Sequence, residues 1–333
     1  MGEKVFRKIQ FGKETTRGTA VAATRMFPGT VQVPADRKPT FPEDTIGSRV
    51  QAVRTVVNQI FADGIALSME HSVFQMLPML FSIGLKGNIT ASETTPGQAD
   101  YLWDFTPSLV ASNAPDAVTL EFGNDQQAYE IEYVMAKRYR ISGATGEDAP
   151  VKIEAELFGK QITGTTFTSL SPTASLEPVI ANKTKIYLDS TWATLGTTIK
   201  SGLLRNWDIE ILTGVHAVFD ADGTLTLSGH GEGALDAILT MTVENNAAGD
   251  ALWDDFRAGT ARAIRIITEG SQIGSGTNHS LVFDIYGKFE DAVPMGADAD
   301  GNDLTTLVFR AMNDLQSTQH AFGVKVTTTL NAI

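Results

Sequence analysis

The sequence predicts a mainly β protein: two tandem β-sandwich or barrel domains, each with a short flanking α-helix, behind an extended N-terminal arm. Three observations carry this expectation. Short runs alternate apolar and polar residues along much of the chain, the period-two pattern of half-buried strands. Glycine is plentiful at 30 residues and threonine is frequent, a composition that suits strands closed by turns. One strand also occurs twice. Glu156-Leu157-Phe158-Gly159-Lys160 and Asp284-Ile285-Tyr286-Gly287-Lys288 share the order acid, aliphatic, aromatic, Gly, Lys. Aligned on the glycine, Ile153, Ala155 and Leu157 match Leu281, Phe283 and Ile285 on the apolar face. The echo falls near the end of each half, which suggests a duplicated β domain.

A length of 333 residues accommodates two domains. The net charge of −13, from 39 acids and 26 bases, argues against a basic surface that grips phosphate. The absence of cysteine excludes disulfides and Cys-ligated metals. No signal-peptide core is present near the start. The longest apolar stretch, residues 73–85, is too short for a membrane span and contains Pro78. A soluble protein made in the cytoplasm is expected.

In chain order, residues 1–49 read as the arm, because Pro28, Pro34, Pro39 and Pro42 favour extended backbone. It lies over a surface or hangs as a loose tail. The first β domain is expected at 50–165. Its first strand has Ile65, Leu67 and Met69 on one face. A helix follows, capped by Ser72 and carrying Phe74, Leu77, Leu80 and Phe81, with Pro78 kinking or shortening it. Residues 88–99 are a polar loop, and strands follow at 101–107, 117–122, 128–142 and 149–162, with a turn at 143–148. Residues 166–182, rich in Thr, Ser and Pro, read as a linker. The second β domain, 183–333, includes strands at 202–218 and 234–243. A helix capped by Asp250 then runs through Arg257 to a Gly259 stop. Strands at 262–268, 305–312 and 321–330 flank the second echo, with an acidic turn at 295–303. Both halves therefore run strand, helix, strand, echo strand.

Chemistry is sparse. The five histidines form no ligand pair, and His230-Gly231-Glu232 is better read as a turn. Asp220-Ala221-Asp222-Gly223 and Asp298-Ala299-Asp300-Gly301 lack the spacing of a Ca²⁺ loop and read as hairpin turns. No phosphate loop or nucleophile elbow occurs. No catalytic residue, metal or cofactor is expected. What recurs is strands with acidic polar faces: Glu130 and Glu132, Glu154 and Glu156, Asp208 and Glu210, and Asp284. Joined edge to edge around a ring, such strands would line an acidic channel that repels DNA phosphate.

The opening Phe11-Gly12-Lys13-Glu14-Thr15-Thr16-Arg17-Gly18-Thr19-Ala20-Val21, followed by a proline-containing arm, is similar to the start of many tail tube (major tail) proteins of long-tailed bacteriophages. The Glu156–Lys160 and Asp284–Lys288 strands also resemble that family. The resemblance implies a virion structural protein, made in the host cytoplasm, whose β-sandwich subunits form stacked rings around a DNA-conducting lumen. The implied partners are copies of itself, a tape-measure protein and tail-end capping proteins, with DNA only in transit. Two tube domains per chain would let three chains close a ring, with a hexamer as the alternative. The arm and residues 88–99 would supply ring-to-ring contacts. A rival reading is a β-sandwich adhesin or carbohydrate-binding module, which would expose aromatic platforms; of Trp103, Trp192, Trp207 and Trp253, at least Trp253 is better read as helix packing. A third is a polysaccharide-degrading enzyme using Glu154 and Glu156.

Overall fold

Regular structure begins far earlier than the prolines suggest. The computed structural model describes residues 3–50, 52–146, 150–173, 175–299, 301–316 and 319–333, with backbone alone at 297–299. The expected turn at 143–148 and the Asp298–Gly301 turn therefore lie partly outside the described residues. The first half holds β1 (Lys8–Lys13), β2 (Arg25–Met26), β3 (Thr30–Gln32), β4 (Ala62–Met69), α1 (Leu77–Ser82), β5 (Ser92–Glu93), β6 (Tyr101–Asp104), β7 (Val118–Gly123), β8 (Ala128–Ala144), β9 (Lys152–Gly159) and β10 (Ile162–Thr165). The second holds β11 (Thr184–Asp189), β12 (Leu204–Leu212), β13 (Val215–Val218), β14 (Gly229–Glu232), β15 (Asp236–Glu244), α2 (Ala247–Ala258), β16 (Arg262–Gln272), β17 (Asn278–Ala299), β18 (Asn302–Ala311) and β19 (Phe322–Thr328). The protein is mainly β, as expected.

Residues 1–49 are not simply an arm. β1 pairs along its whole length with β7 and buries Ile9 and Phe11. The Gly12–Val21 motif has a folding job. Glu14 is buried and accepts hydrogen bonds from the Gly18 N–H (2.6 Å), the Tyr133 N–H (2.8 Å) and the Thr119 hydroxyl (3.1 Å). Burial nevertheless raises its pKa above the usual carboxylate value. Arg17 donates to Pro115 O at 2.8 Å. A Cβ on Gly12 would strike Ala22 O at 2.5 Å, where the returning chain crosses β1. The true excursion spans residues 34–50 and 52–61. They fold back on themselves, with Thr40 and Val56 exchanging backbone hydrogen bonds of 2.9 Å, and they expose Phe41, Ile46, Val50 and Val53.

The halves share one pairing scheme. In the first, β3 pairs β4, β4 pairs β9 and β9 pairs β8. In the second, β12 pairs β15, β15 pairs β18 and β18 pairs β17. Likewise β8 pairs β7 and β10, with β1 beyond β7, while β17 pairs β16 and β19, with β11 beyond β16. The helix follows β4 in one half and β15 in the other. Even a bulge repeats. Lys137 is the extra residue between Ala136 and Arg138 opposite β9, and Glu290 is the extra residue between Phe289 and Asp291 opposite β18.

This correspondence corrects the echo. The strand equivalent to β17 is β8, and the equivalent of β9 is β18. The two Gly-Lys strands thus occupy different places, and their glycines answer different neighbours: a Cβ at Gly159 would meet the Ile131 side chain, at Gly287 the Arg310 carbonyl. The apolar faces were legible regardless: Ile153, Ala155, Leu157, Leu281, Phe283 and Ile285 are all buried.

The two halves are joined rather than tethered. β8 pairs β12, and β6 pairs β19. One cluster of buried side chains draws on both halves, from Ile9 to Leu330. Phe81 packs on Tyr139 and Phe283, and Trp207 on Phe283. The expected linker is docked as well, with Val179 and Ala181 in the core and Thr168 hydrogen-bonded to Glu121. Asp100 is a further staple: it accepts from the Thr95 N–H on one side and from the Thr277 N–H and hydroxyl on the other.

Both helices differ from expectation in detail. Every residue of α1 is buried, so it is a core element rather than a flanking one. Pro78 sits in its first turn, where a missing N–H costs no helical bond, and the Ser72 hydroxyl donates to Val151 O instead of capping. α2 starts before Asp250, because Asn246 accepts from the Ala248 and Gly249 N–H groups. Gly259 ends it at φ 61° as expected.

Because Phe283 packs against side chains of both halves, Phe283→Ala should cost about 3–5 kcal/mol. It should shift a single cooperative urea transition followed by tryptophan emission; two separated transitions would show independent cores. Asp100 supplies an acid-sensitive term. Burial pushes its pKa up, but the Thr277 and Thr95 donors outweigh this and hold it well below the usual range. Its contribution is present above about pH 3.9 and is lost as pH falls through the lower folded value. Melting temperature measured from pH 5 downward should therefore fall less steeply for Asp100→Asn than for wild type.

Candidate functional site

Adjacent strands turn their polar faces to the same side. On β9, β8 and β12 the odd-numbered residues Ile153, Ala155, Tyr139, Ile141, Ile209 and Ile211 face the core. The even-numbered ones face away, so Glu154 and Glu156, Arg138 and Arg140, and Asp208 and Glu210 form one outward patch. Register makes this a ladder. Arg140 stands opposite Glu154 on β9 and Glu210 on β12, and Arg138 opposite Glu156. The ion pairs run diagonally: Arg140 Nε to Asp208 at 2.7 Å and Arg138 Nε to Glu210 at 2.7 Å. Lys152 extends the patch to Glu154 (2.9 Å) and Glu70 (3.3 Å). Hydrogen bonding to Asp208, with its charge and those of Glu154 and Glu210, raises the Arg140 pKa. Hydrogen bonds to Glu154 and Glu70 do the same for Lys152.

Four of the seven predicted acids thus come together, and three do not. Asp284 is only 2% exposed and takes a two-pronged pair from Arg265 (2.6 and 2.8 Å), which raises the arginine pKa. It faces no open surface. Glu130 and Glu132 lie on the first part of β8, in the other sheet, where Glu130 accepts from Thr163 (3.4 Å) and Glu132 pairs with Lys160 (3.5 Å). Sequence reasoning missed Arg138 and Arg140, which turn an acidic face into a mixed one. Their signal was the alternation Arg138-Tyr139-Arg140-Ile141.

A cleft of about 820 Å³ lies between residues 108–113 and β14. Glu232 holds its rim through Ser112, Asn113 and Ala114, and His230 Nδ1 meets Tyr133 Oη at 3.0 Å. Among the described residues no three His, Asp or Glu side chains group as metal ligands. Trp103 and Trp207 are buried, while Trp253 packs on Phe256 and Trp192 on His320.

A scan against protein-family models gives no match, and a search of curated proteins gives none either.

Arg140→Glu places a fifth carboxylate in the ladder. Thermal melts should show a loss of about 1 kcal/mol at low ionic strength, largely restored in about 1 M salt, where charges more than about 3 Å apart are screened. A salt-independent loss would mean that Arg140 acts through packing.

Proposed function

We propose that this chain is a tail tube protein of a long-tailed bacteriophage, a virion structural protein that assembles with copies of itself into stacked rings. The observation that carries this reading is the seam within the chain. The first half ends its four-strand sheet in β8, and the second begins its own in β12, and the two pair edge to edge. The equivalent outer strands, β3 and the part of β17 beyond Gly287, have no neighbour on their other edge among the described residues. Those edges are complementary in the same sense as β8 and β12. Head-to-tail pairing of β17 with β3 of the next copy repeats the internal seam and removes both edges. The open stretch also explains exposed apolar side chains, Val293 at 47% and Met295 at 65%.

Two such half-sheets per chain favour closure by three copies, with six as the alternative. The ladder face then becomes the lumen surface, where two arginines among four carboxylates leave an acidic excess that does not hold DNA. Residues 34–50 and 52–61, which expose Phe41, Ile46, Val50 and Val53, suit contacts between rings. A tape-measure protein inside and capping proteins at the ends are the remaining partners.

The pairing scheme also sets a register. Through the matching bulges, Val293 corresponds to Arg140 and Gln32 to Asp208, whose side chains meet across the internal seam. The chain has no cysteine, so Gln32→Cys with Val293→Cys gives a background-free test. Assembled protein treated with a short thiol cross-linker should yield covalent multimers ending at closed rings, and negative-stain images should show rings or tubes with a central hole. Tubes without cross-links would overturn the seam alone; a persistent monomer would overturn the assembly reading.

A further inference from the structure

The turn after β11, Tyr286 in the middle of β17, and Asp314, Gln316 and His320 beyond β18 line a pocket of about 380 Å³ that the assembly reading does not use. Trp192, Tyr286, His320 and Asp314 are among its lining residues. Trp192 and His320 stack face to face, 4.6 Å apart and 5° from parallel. Tyr286 is fixed by its backbone, which donates to Ala321 O and accepts from the Met312 N–H, both at 2.8 Å.

Asp314 is 8% exposed. Its Oδ1 accepts from the backbone N–H groups of Gln316 (3.1 Å) and His320 (3.0 Å), and its own N–H donates to His320 O (2.9 Å). The loop thus locks the carboxylate in place. Its other oxygen, Oδ2, has no donor among the described residues. A buried carboxylate oxygen without a donor is costly, and more so than a neutral one. The lining includes no lysine or arginine to balance the charge.

We propose that this pocket binds an organic cation with N–H donors, a guanidinium or primary ammonium group, with Asp314 Oδ2 as acceptor and the aromatic walls against the cation. Both missing elements, a donor and a positive charge, come from one such group, and aromatic faces attract it further. The volume is near the lower end for small-molecule pockets and suits one side-chain-sized group rather than an oligosaccharide. Oδ2 is covered, so binding requires the lining to rearrange, and Trp192 in that lining reports the event through its emission.

Titration calorimetry and tryptophan emission with acetyl-arginine-amide test this, with acetyl-citrulline-amide as a neutral probe of the same shape. Wild type should bind the arginine probe and discriminate against citrulline by about tenfold or more. Asp314→Asn keeps the Oδ1 acceptor for the loop but presents an N–H₂ in place of Oδ2, and it should weaken binding about tenfold or more. Should that variant unfold early, Trp192→Ala removes a wall without touching the carboxylate and should weaken binding likewise. Equal affinity for both probes, unchanged affinity in the variants, or no heat at millimolar probe would overturn the proposal and leave Oδ2 to a trapped water. Sedimentation separates the two sources of the cation. Association weakened by the arginine probe and by Asp314→Asn assigns it to a side chain of a second copy, and unchanged association assigns it to a free small cation.

Discussion

Two long strands that change sheets hold this fold together. β8 begins beside β7 and β10 and ends between β9 and β12, and β17 begins between β16 and β19 and ends beside β18. Each has an extra residue near the crossing, Lys137 or Glu290, which bends the strand and rotates the side chains that follow. A straight strand would serve one sheet only. The bend lets a single strand close two sheets over one interior, which is why α1 is enclosed and why Phe81 reaches Phe283.

The ladder on β9, β8 and β12 has a different role. Its pairs are partly exposed, with side-chain exposures from 26% to 54% for the Arg138 and Arg140 pairs, so each adds little stability. Opposite charges across neighbouring strands instead penalise a slipped register, because a shift of one residue would put charges into the core. Asp284 shows the contrasting case, where a similar acid is enclosed with its arginine and acts as internal structure.

Much of this was legible as pattern. Alternation identified the buried residues of both Gly-Lys strands, and the order strand, helix, strand matched in the two halves. Gly259 marked the end of α2 because only a left-handed residue closes it cheaply. The misses share a cause: local signals were overruled by distant partners. β1 is short and contains a glycine, yet Glu14 and β7, about a hundred residues later, hold it in place. α1 reads as a flanking helix because its sequence cannot say that both halves will close over it. The duplicated Gly-Lys motif was real as a strand signature, but strand pairing, not motif, decides which elements correspond. Four acids met on one face because of β8–β12 pairing, which no local pattern encodes.

The pairing of β6 with β19 carries a consequence for synthesis. β6 spans Tyr101–Asp104, its Trp103 Nε1 donates to Leu330 O, and β19 spans Phe322–Thr328. More than two hundred residues must be translated after β6 before its partner strand exists. Until then the first half keeps an unmatched edge and an incompletely covered α1. A nascent chain at that stage cannot present a finished fold, so every surface built on the closed body waits on the ribosome until β19 has emerged.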